Sequence, residues 1–165
     1  MTPDLIVRRA RSTDAETISR LNNTFAAGGQ MLTRSPEAIA LAIDDYVVVQ
    51  DATGALWACG ALKEYSPSVA EVAAIAVSKE AHGRGLGRAI VSAVERLARM
   101  RGIHDVFALT LQPEFFAAIG YERVDRARYP EKIRRDCLGC ARRFACNELC
   151  FAKSLLEDTV AARAA

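Results

Sequence analysis

Glu71-Val72-Ala73-Ala74-Ile75-Ala76-Val77 is an apolar run, and after a short linker it is followed by His82-Gly83-Arg84-Gly85-Leu86-Gly87-Arg88. The run has the length of a buried strand, and a helical pattern of apolar residues begins after the glycines. Three glycines at alternate positions therefore lie between a strand and a helix. They carry no Cβ to keep a ligand away, and the first turn of a helix has backbone N–H groups without intrahelical acceptors. The helix dipole, Arg84 and Arg88 add positive charge, so the stretch predicts an anion-binding loop.

The spacing of these glycines decides among the known phosphate loops. A dinucleotide-binding fingerprint has G-x-G-x-x-G in the first strand-helix unit, and a P-loop ends in Gly-Lys-Ser/Thr. Here the pattern is G-x-G-x-G in mid-chain, and it ends in Gly87-Arg88-Ala89. It resembles motif A of the GNAT acetyltransferase superfamily, Gln/Arg-x-x-Gly-x-Gly/Ala, with His82 in the first position and Gly85 and Gly87 on the glycines. A tight turn whose glycines serve packing alone is the alternative.

The GNAT resemblance implies where acetyl-CoA binds. The motif A loop holds the pyrophosphate, with His82 offering its backbone N–H. The strand before the loop carries a bulge in that family, and a bulge leaves backbone N–H groups unpaired. Those groups would bind the pantetheine arm, and one would stabilise the oxyanion of the reaction. The implied cofactor-binding residues are Ile75, Ala76, Val77, His82, Gly83, Arg84, Gly85, Leu86, Gly87 and Arg88.

Length and composition place the chain among ordinary globular proteins. It has 165 residues, 51% hydrophobic and 25% charged, with a formal net charge of +2. These values suit one domain, and the charge argues neither for nor against nucleic acid. No basic segment followed by a long apolar one occurs near Met1, so we expect neither a signal peptide nor a membrane anchor, and a cytoplasmic location. Cysteines then act as thiols or metal ligands sooner than as disulfides.

The order of predicted elements indicates an α/β (α+β) fold. A strand and two short helices come first, then two antiparallel strands, Tyr46 to Gln50 and Ala55 to Lys63, and the long strand Val69 to Val77. The glycine loop, a helix and a strand at Val106 to Leu111 make one β-α-β crossover, followed by a short helix and a last strand. This order predicts a mixed, mostly antiparallel sheet with helices on both faces, the order of the GNAT fold. We expect a GNAT domain at 1–128, and a Cys-rich extension at 129–165 packed on the same domain.

Acetyl transfer to an amine needs a proton acceptor, since a free amino group is mostly protonated near neutral pH. Glu71 stands at the start of the long strand and is the candidate, directly or through water; a solvated strand-end carboxylate is the alternative. Many GNAT enzymes protonate the departing thiolate with the Tyr of Tyr-x-x-x-Gly-Phe, and Phe116 occupies that position here. Thr110 is a nearby hydroxyl candidate, and water or unassisted departure is the other option.

Four further segments narrow the resemblance: Met31–Ser35, Ala70–Val72, Val106–Phe116 and Tyr129–Cys140. Together they look like the short bacterial N-acetylglutamate synthases, amino-acid N-acetyltransferases that acetylate L-glutamate in arginine biosynthesis. The sequence departs from that pattern at Thr33, Ala73 and Arg134.

Such a substrate has two carboxylates, and Arg pairs with a carboxylate in bidentate fashion where Lys acts as a point charge. Arg34 is the first choice for a carboxylate ligand and Lys132 the second. An ordinary solvated cation is the alternative for each of them.

A cysteine cluster in the C-terminal part of the sequence allows a structural metal. Cys137, Cys140, Cys146 and Cys150 have the spacing C-x2-C-x5-C-x3-C and would provide an all-cysteine Zn²⁺ site. Reduced thiols packed in a small helical cap are the alternative. Together with the nearby arginines, the cluster also indicates an alternative class of protein, a zinc-knuckle module that binds nucleic acid.

The preferred interpretation is an enzyme that binds a small amino acid substrate, with no nucleic acid and no membrane as partners. A homodimer is compatible with the sequence. Within the enzyme class, the alternative substrates are another small amine and a protein N-terminus.

Overall fold

A computed structural model describes residues 4–156 of the chain. Its strands are β1 (Ile6–Arg9), β2 (Tyr46–Gln50), β3 (Leu56–Ser66), β4 (Val69–Val77), β5 (Asp105–Thr110), β6 (Glu122–Arg123) and β7 (Leu149–Ser154). Its α-helices are α1 (Ala15–Ala27), α2 (Pro36–Leu41), α3 (Leu86–Met100), α4 (Pro113–Ala118) and α5 (Pro130–Lys132), and a π-helical turn, Ile133–Cys137, directly follows α5. None of the helices in residues 4–156 has the length and apolar character needed to cross a membrane.

The strands are hydrogen-bonded in the order β1-β2-β3-β4-β5-β7-β6. β4 pairs with β5 in parallel, on either side of the α3 crossover, whereas β1 with β2, β2 with β3, β5 with β7, and β6 with β7 are antiparallel. The predicted fold class, a mixed and mostly antiparallel GNAT sheet with one β-α-β crossover, is therefore confirmed.

The chain divides into two compact units. Within residues 4–156, the first unit comprises residues 4–63 and Val72–Leu97, and the second comprises Glu64–Glu71 and residues 98–156. Strands β3 and β4 therefore contribute residues to both units. The described part of the Cys-rich extension belongs to the second unit, and the predicted boundary at residue 128 stays a prediction.

The core of the first unit lies where α1 and α2 pack on β2, β3 and β4. Ile18 of α1 and Ile39 of α2 are 1% exposed and belong to one cluster with Val48 and Cys59. Helix α2 has a capped N-terminus, because the Ser35 hydroxyl accepts the Ala38 N–H at 3.1 Å and proline occupies the first helical position. Cys59 is fully buried, and burial raises its pKa to about 12, so it acts as a small apolar residue.

Helix α3 packs closely on β3 at Gly60. A Cβ added to Gly60 would lie 2.4 Å from Cγ2 of Ile90 in α3 and 2.7 Å from Cδ1 of Ile75 in β4. A side chain of any size would push α3 away from the strands. The glycine therefore fixes the position of α3, and with it the loop from which this helix begins.

The core of the second unit is aromatic. The ring of Phe107 in β5 is fully buried, stacks on Tyr129 with 4.0 Å between centroids, and lies 5.7 Å from the ring of Tyr65. Cys150 and Ala152 of β7 complete this cluster. β7 pairs with β5 along the whole of β5 and lies between β5 and β6, which makes it a central strand of the unit. The sequence analysis did not predict this strand.

Candidate active site

The predicted site residues are distributed over both units, and the glycine loop lies in the first. Gly83 and Gly85 have φ angles of 76° and 77°, a left-handed conformation that favours glycine. A Cβ added to either residue would have no atom within 4 Å, so packing does not require glycine at these positions. This speaks against glycines that serve packing alone, and it leaves open space beside the main chain.

The N-terminal turn of α3 presents unpaired backbone donors directly after these glycines. The Ala89 N–H donates to the Gly85 carbonyl at 3.1 Å, which makes Gly85 the residue before the first helical turn. By helix geometry, the N–H groups of Leu86, Gly87 and Arg88 then have no acceptor one turn back. Arg84, Gly85 and Arg88 are exposed to solvent. The loop thus combines donors, positive charge and accessible main chain, as the anion-binding prediction requires.

His82 differs from its predicted part in the loop. Its backbone N–H donates to the Lys79 carbonyl at 3.3 Å instead of facing an open site. Its ring stacks on Phe25 with 6.3 Å between centroids, and Nε2 lies 2.9 Å from the Val77 carbonyl oxygen. We therefore assign His82 to the support of the loop, while a direct contact with the cofactor stays a prediction.

Strand β4 is distorted at the position where the GNAT resemblance places a bulge. Ala74 has a φ of 54°, the one left-handed non-glycine residue among residues 4–156. A left-handed residue in mid-strand interrupts the ladder locally, as a β-bulge does. The downstream residues Ile75 and Val77 are partly exposed, and Ala76 is buried. Their predicted role, backbone hydrogen bonds to the pantetheine arm, stays a prediction.

Arg34 lies in the first unit with a guanidinium that has no carboxylate partner among residues 4–156. Its Nε is enclosed and makes no hydrogen bond within that part of the chain. The guanidinium approaches Tyr46 of β2, where burial raises the pKa of the phenol and the positive charge of Arg34 opposes that rise. An enclosed guanidinium nitrogen without an acceptor is costly unless a ligand supplies one.

Three polar side chains of α1 hold the segment that carries Arg34. Ser19 and Asn22 are 4% and 1% exposed. The Ser19 hydroxyl donates to the Arg34 carbonyl at 2.7 Å, the Arg34 N–H donates to Asn23 Oδ1 at 3.0 Å, and Asn22 Nδ2 donates to the Leu32 carbonyl at 2.9 Å. The sequence analysis missed these residues. Their signal was the polar side chains on the face of α1 that the apolar periodicity assigns to the core.

Glu71 lies in the second unit and is 6% exposed, so it is not the solvated strand-end carboxylate that the sequence left as an alternative. Its Oε2 accepts hydrogen bonds from the Tyr65 hydroxyl at 2.9 Å and from Lys132 Nζ at 2.8 Å. Lys132 Nζ also donates to Asp136 Oδ2 at 3.0 Å, and the Tyr65 hydroxyl contacts the same Asp136 oxygen. We call these four residues the Glu71 cluster. Neither Tyr65 nor Asp136 was singled out from the sequence.

In the Glu71 cluster, Lys132 pairs with carboxylates of the protein itself, whereas the sequence predicted a contact with a substrate carboxylate. Its ammonium group already lies between two carboxylates, and its side chain is 13% exposed. Burial opposes the charged form, but Glu71 and then Asp136 together raise the pKa of Lys132. The charge of Lys132 is thus balanced within the cluster. The predicted role of Lys132 as a ligand of a substrate carboxylate stays a prediction.

Thr110 and Phe116 are both buried in the second unit. Thr110 Oγ1 accepts the Gln112 N–H at 2.8 Å, which leaves the hydroxyl proton of Thr110 to donate elsewhere. Its role as a general acid stays a prediction. The ring of Phe116 packs edge to face against Phe115 and Tyr121, so the position of the usual catalytic tyrosine is part of the apolar core here.

The predicted zinc site is not supported. No group of three or more His, Cys, Asp or Glu side chains within residues 4–156 is arranged to hold a metal ion. Cys150 lies in β7 inside the aromatic core, and burial raises the pKa of its thiol to about 11. Cys146 Sγ instead accepts a hydrogen bond from the Arg126 guanidinium at 3.5 Å. One thiol of the four lies in β7, a strand that was not predicted, and is buried in the core. The set therefore does not fit a tetrahedral metal site; it consists of Cys137, Cys140, Cys146 and Cys150.

Comparison with known proteins defines the class to which this fold and loop belong. Residues 17–123 match the model of the acetyltransferase (GNAT) family. The chain therefore belongs to the GNAT acetyltransferase family, and it is an acetyl-CoA-dependent N-acetyltransferase. This confirms the resemblance seen in the glycine loop.

Particular relatives include amino-acid acetyltransferases. An uncharacterised N-acetyltransferase of Chlorobaculum tepidum is 39% identical over 152 residues, which cover 92% of this chain and 97% of that protein. The amino-acid acetyltransferase of Mycobacterium tuberculosis is 33% identical over 122 residues, which cover 73% of this chain and 70% of that protein.

Solved structures agree with these relatives. N-acetylglutamate synthase from Neisseria gonorrhoeae, complexed with coenzyme A and N-acetyl-glutamate, has a TM-score of 0.82 at 27% identity; the match covers 94% of this chain and 36% of the synthase chain. Rv2747 from M. tuberculosis, in complex with CoA, has a TM-score of 0.79 at 28% identity, with 92% of this chain and 99% of that chain covered. This chain therefore spans well under half of the gonococcal synthase.

Proposed function

We propose that this N-acetyltransferase transfers the acetyl group of acetyl-CoA to the α-amino group of L-glutamate, the first step of arginine biosynthesis. The observation that carries the proposal is the Arg34 side chain, whose Nε is enclosed without a hydrogen bond and which has no carboxylate partner within residues 4–156. A substrate carboxylate would supply the missing charge and acceptors. The relatives named as amino-acid acetyltransferase and N-acetylglutamate synthase support a substrate of this kind.

The proposed reaction is direct transfer with both substrates bound. The motif A loop and the N–H groups of β4 bind acetyl-CoA, Arg34 binds a glutamate carboxylate, and Glu71 accepts the proton of the ammonium group. The free amine attacks the thioester carbonyl, a backbone N–H stabilises the oxyanion, and coenzyme A leaves as a thiolate. Thr110 or water protonates that thiolate, and the second proton lost by the attacking nitrogen restores the proton of Thr110 or of the water. A covalent cysteine intermediate is not part of this route, because the buried Cys59 thiol has its pKa raised to about 12.

A panel of acceptors tests the substrate. Release of the free coenzyme A thiol is measured with acetyl-CoA and L-glutamate, L-aspartate, L-glutamine or spermidine. Because a missing methylene in a fitted site costs roughly 10- to 200-fold, we expect kcat/KM for glutamate to exceed that for aspartate by at least about tenfold. The decrease in kcat/KM relative to glutamate should be larger still for glutamine, which has a neutral amide, and for spermidine, which is a cationic amine. A higher kcat/KM for any of the other three would overturn the assignment.

Substitution of Arg34 tests the residue that carries the proposal. Loss of a charge-assisted hydrogen bond costs about 1.5–3 kcal/mol, so Arg34→Ala should raise KM for glutamate on the order of 10- to 100-fold. Affinity for acetyl-CoA, measured by calorimetry, should not change. The KM of Arg34→Lys for glutamate should lie between those of wild type and Arg34→Ala, because lysine keeps the charge and loses the bidentate contact. Arg20→Ala on α1 is the control, since Arg20 is exposed and pairs only weakly with Thr17 at 3.4 Å.

A second candidate is a GNAT enzyme that acetylates a different small amine. The pairing of Lys132 within the Glu71 cluster favours it, because the second predicted carboxylate ligand is engaged elsewhere. The acceptor panel decides between the two candidates. If spermidine or another amine without a carboxylate is acetylated fastest, and Arg34→Ala leaves its KM unchanged, the second candidate is correct.

A further inference from the structure

Four polar side chains of the second unit meet at Glu71, and together they form a connected path. Tyr65 comes from β3, Glu71 from β4, Lys132 from α5 and Asp136 from the π-helical turn after it. The Tyr65 hydroxyl contacts both Glu71 Oε2 and Asp136 Oδ2, and Lys132 Nζ donates to the same two oxygens at 2.8 and 3.0 Å. The two carboxylates are thus joined by a phenol on one side and by an ammonium group on the other.

The number of protons in this path is constrained by its chemistry. A phenol has one hydroxyl proton, so Tyr65 can donate to one carboxylate at a time. The phenol can hydrogen-bond to both carboxyl groups at once only after one of them has accepted a proton and become a donor. A proton added to the path by Glu71 can therefore sit on Glu71 or on Asp136. The two arrangements interconvert when the phenol accepts one proton and gives up the other.

Burial and neighbouring charges keep the Tyr65 phenol from titrating near neutral pH, and neighbouring carboxylates do the same for the Lys132 ammonium group. Burial is the largest cause that raises the pKa of the Tyr65 phenol, followed by Glu71 and Asp136. The phenol therefore keeps its proton near neutral pH. Lys132 stays an ammonium ion because its pKa is raised as well. The Arg135 guanidinium lies 5.0 Å from the centre of the Tyr65 ring. Glu148 and the thiols of Cys137 and Cys150 also interact electrostatically with members of the cluster, and burial raises the pKa of each of these three groups.

Exposure rises along the path. The side chain of Glu71 is 8% exposed, whereas that of Asp136 is 25% exposed. A proton that reaches Glu71 has little direct access to water, while a proton on Asp136 can pass to a water molecule or a buffer base. The Tyr65 hydroxyl contacts both carboxylates and thus connects the buried Glu71 to the more exposed Asp136.

We propose that Tyr65 and Asp136 carry to solvent the proton that Glu71 removes from the ammonium group of the substrate. The inference rests on the proposed function, in which Glu71 is the acceptor. The N–H bond of the ammonium group breaks and an O–H bond forms on Glu71. That proton passes to the Tyr65 oxygen as the phenol proton passes to Asp136, and Asp136 releases its proton to water. Glu71, Tyr65 and Asp136 end as they began, with one proton moved from substrate to solvent.

Removal of the phenol hydroxyl tests the path. Tyr65→Phe keeps the ring in the aromatic core and breaks the connection between the carboxylates. With acetyl-CoA and the fastest acceptor of the panel, in dilute buffer, we expect kcat to fall on the order of 10- to 100-fold, since general acid–base steps contribute about 10² to 10⁴. Added imidazole should restore kcat in proportion to its concentration, because it takes the proton from Glu71 directly. Asp136→Asn should show the same dependence, and wild-type kcat should not change with imidazole.

Tyr129→Phe is the matched control. Tyr129 packs on the same Phe107 ring, and its hydroxyl donates to a carboxylate outside the cluster, Asp105 Oδ1, at 2.9 Å. Loss of this hydroxyl should leave kcat independent of imidazole. Calorimetric titration with acetyl-CoA confirms that each variant is folded. If Tyr65→Phe and Asp136→Asn are as insensitive to imidazole as Tyr129→Phe, the proposal is overturned.

The variant Glu71→Gln distinguishes a failure of the proton path from a failure of the proposal that Glu71 accepts the substrate proton. A variant that loses activity and is not restored by imidazole supports Glu71 as the acceptor, and the outcome for Tyr65→Phe then decides the path on its own. If Glu71→Gln keeps wild-type kcat, Glu71 is not the acceptor, and both its assigned role and the path are wrong. Transfer of acetyl groups to glutamate would still be judged by the acceptor panel.

Discussion

At the scale of single residues, Lys132 is a side chain whose loss should lower stability. It lies between the carboxylates of Glu71 and Asp136 and is mostly buried. Lys132→Met keeps the length of the side chain but leaves two carboxylates without their counter-charge. Because removal of one partner of a buried pair costs about 3–5 kcal/mol, we expect a loss of about 3 kcal/mol in the free energy of unfolding at pH 7, measured with urea. Lys79→Met, at an exposed position, should cost less than about 0.5 kcal/mol.

The pH dependence of this effect follows from the direction of the Lys132 pKa shift. The pKa is raised in the folded protein, so the folded state holds the proton more tightly than the unfolded state does. The stabilisation is fully present below the pKa of an unfolded lysine, about 10.4, and it is lost as the pH rises through the folded pKa. The difference between wild type and Lys132→Met should therefore be constant from pH 7 to 9 and smaller above about pH 10.5. A difference that grows at alkaline pH would contradict the assigned ion pairs.

Single residues also set the limit of what the sequence predicts about the site. Gly85 could be identified because a residue without Cβ before a helix has few structural explanations. Glu71 could be named as a candidate, but its partners Tyr65 and Asp136 are 6 and 65 positions away, and no periodicity links them. Polar residues of α1 such as Asn22 lie on the face that the apolar periodicity assigns to the core, but only the folded structure shows their hydrogen bonds to the segment that carries Arg34.

At the scale of elements, the turn from the glycine loop into α3 can be tested with a pair of matched glycines. Gly85 and Gly102 have φ angles of 77° and 74°, and a Cβ at either has no atom within 4 Å. Alanine at either position should cost about 1–2 kcal/mol for the left-handed conformation. Gly85→Ala should also raise the Kd for acetyl-CoA on the order of tenfold, because its Cβ enters the space of the pyrophosphate. Equal affinities in the two variants, measured by calorimetry, would refute the loop assignment.

The distortion of β4 offers a second matched pair. Ala73 and Ala74 are both 9% exposed, and Ala74 alone of the two has a positive φ. Ala73→Gly should lower the free energy of unfolding by about 1 kcal/mol, because glycine weakens a strand interior. Ala74→Gly should be nearly neutral, since relief of about 1–2 kcal/mol from the left-handed conformation offsets that cost. Urea unfolding measures both values, and an equal loss in the two variants would show that Ala74 is not strained.

Elements differ in how well the sequence predicts them. β4 was predicted with its observed bounds, because a long apolar run with a turn on one side and glycines on the other leaves little choice. β7 was missed, because Leu-Cys-Phe-Ala-Lys-Ser is short and follows a segment rich in cysteine and arginine, which drew the interpretation toward a metal site. Its pairing with β5 is a long-range contact that has no local signal.

At the scale of the whole molecule, we expect acetyl-CoA to raise the stability of the chain and removal of metal ions to leave it unchanged. A ligand that binds the folded state at 100 times its Kd adds about 2.7 kcal/mol, and about 1 kcal/mol shifts Tm by 2–4 °C in a chain of this size. Acetyl-CoA should therefore raise Tm by about 5–10 °C, whereas EDTA should leave Tm unchanged, because residues 4–156 hold no arrangement of ligands for a metal ion. A fall in Tm with EDTA, reversed by Zn²⁺, would restore the zinc site that the structure does not support.

The one tryptophan of the chain allows this experiment to be followed in two ways. Trp57 lies in the first unit, where its Nε1 donates to Asp51 Oδ2 at 2.9 Å, so its fluorescence reports on the unit that carries the glycine loop. Far-UV circular dichroism reports on both units together. If the two units unfold as one cooperative body, acetyl-CoA should raise both transitions equally, since linkage acts on the whole transition. If the ligand raises the Trp57 transition and leaves part of the dichroism change at its original temperature, the second unit unfolds on its own.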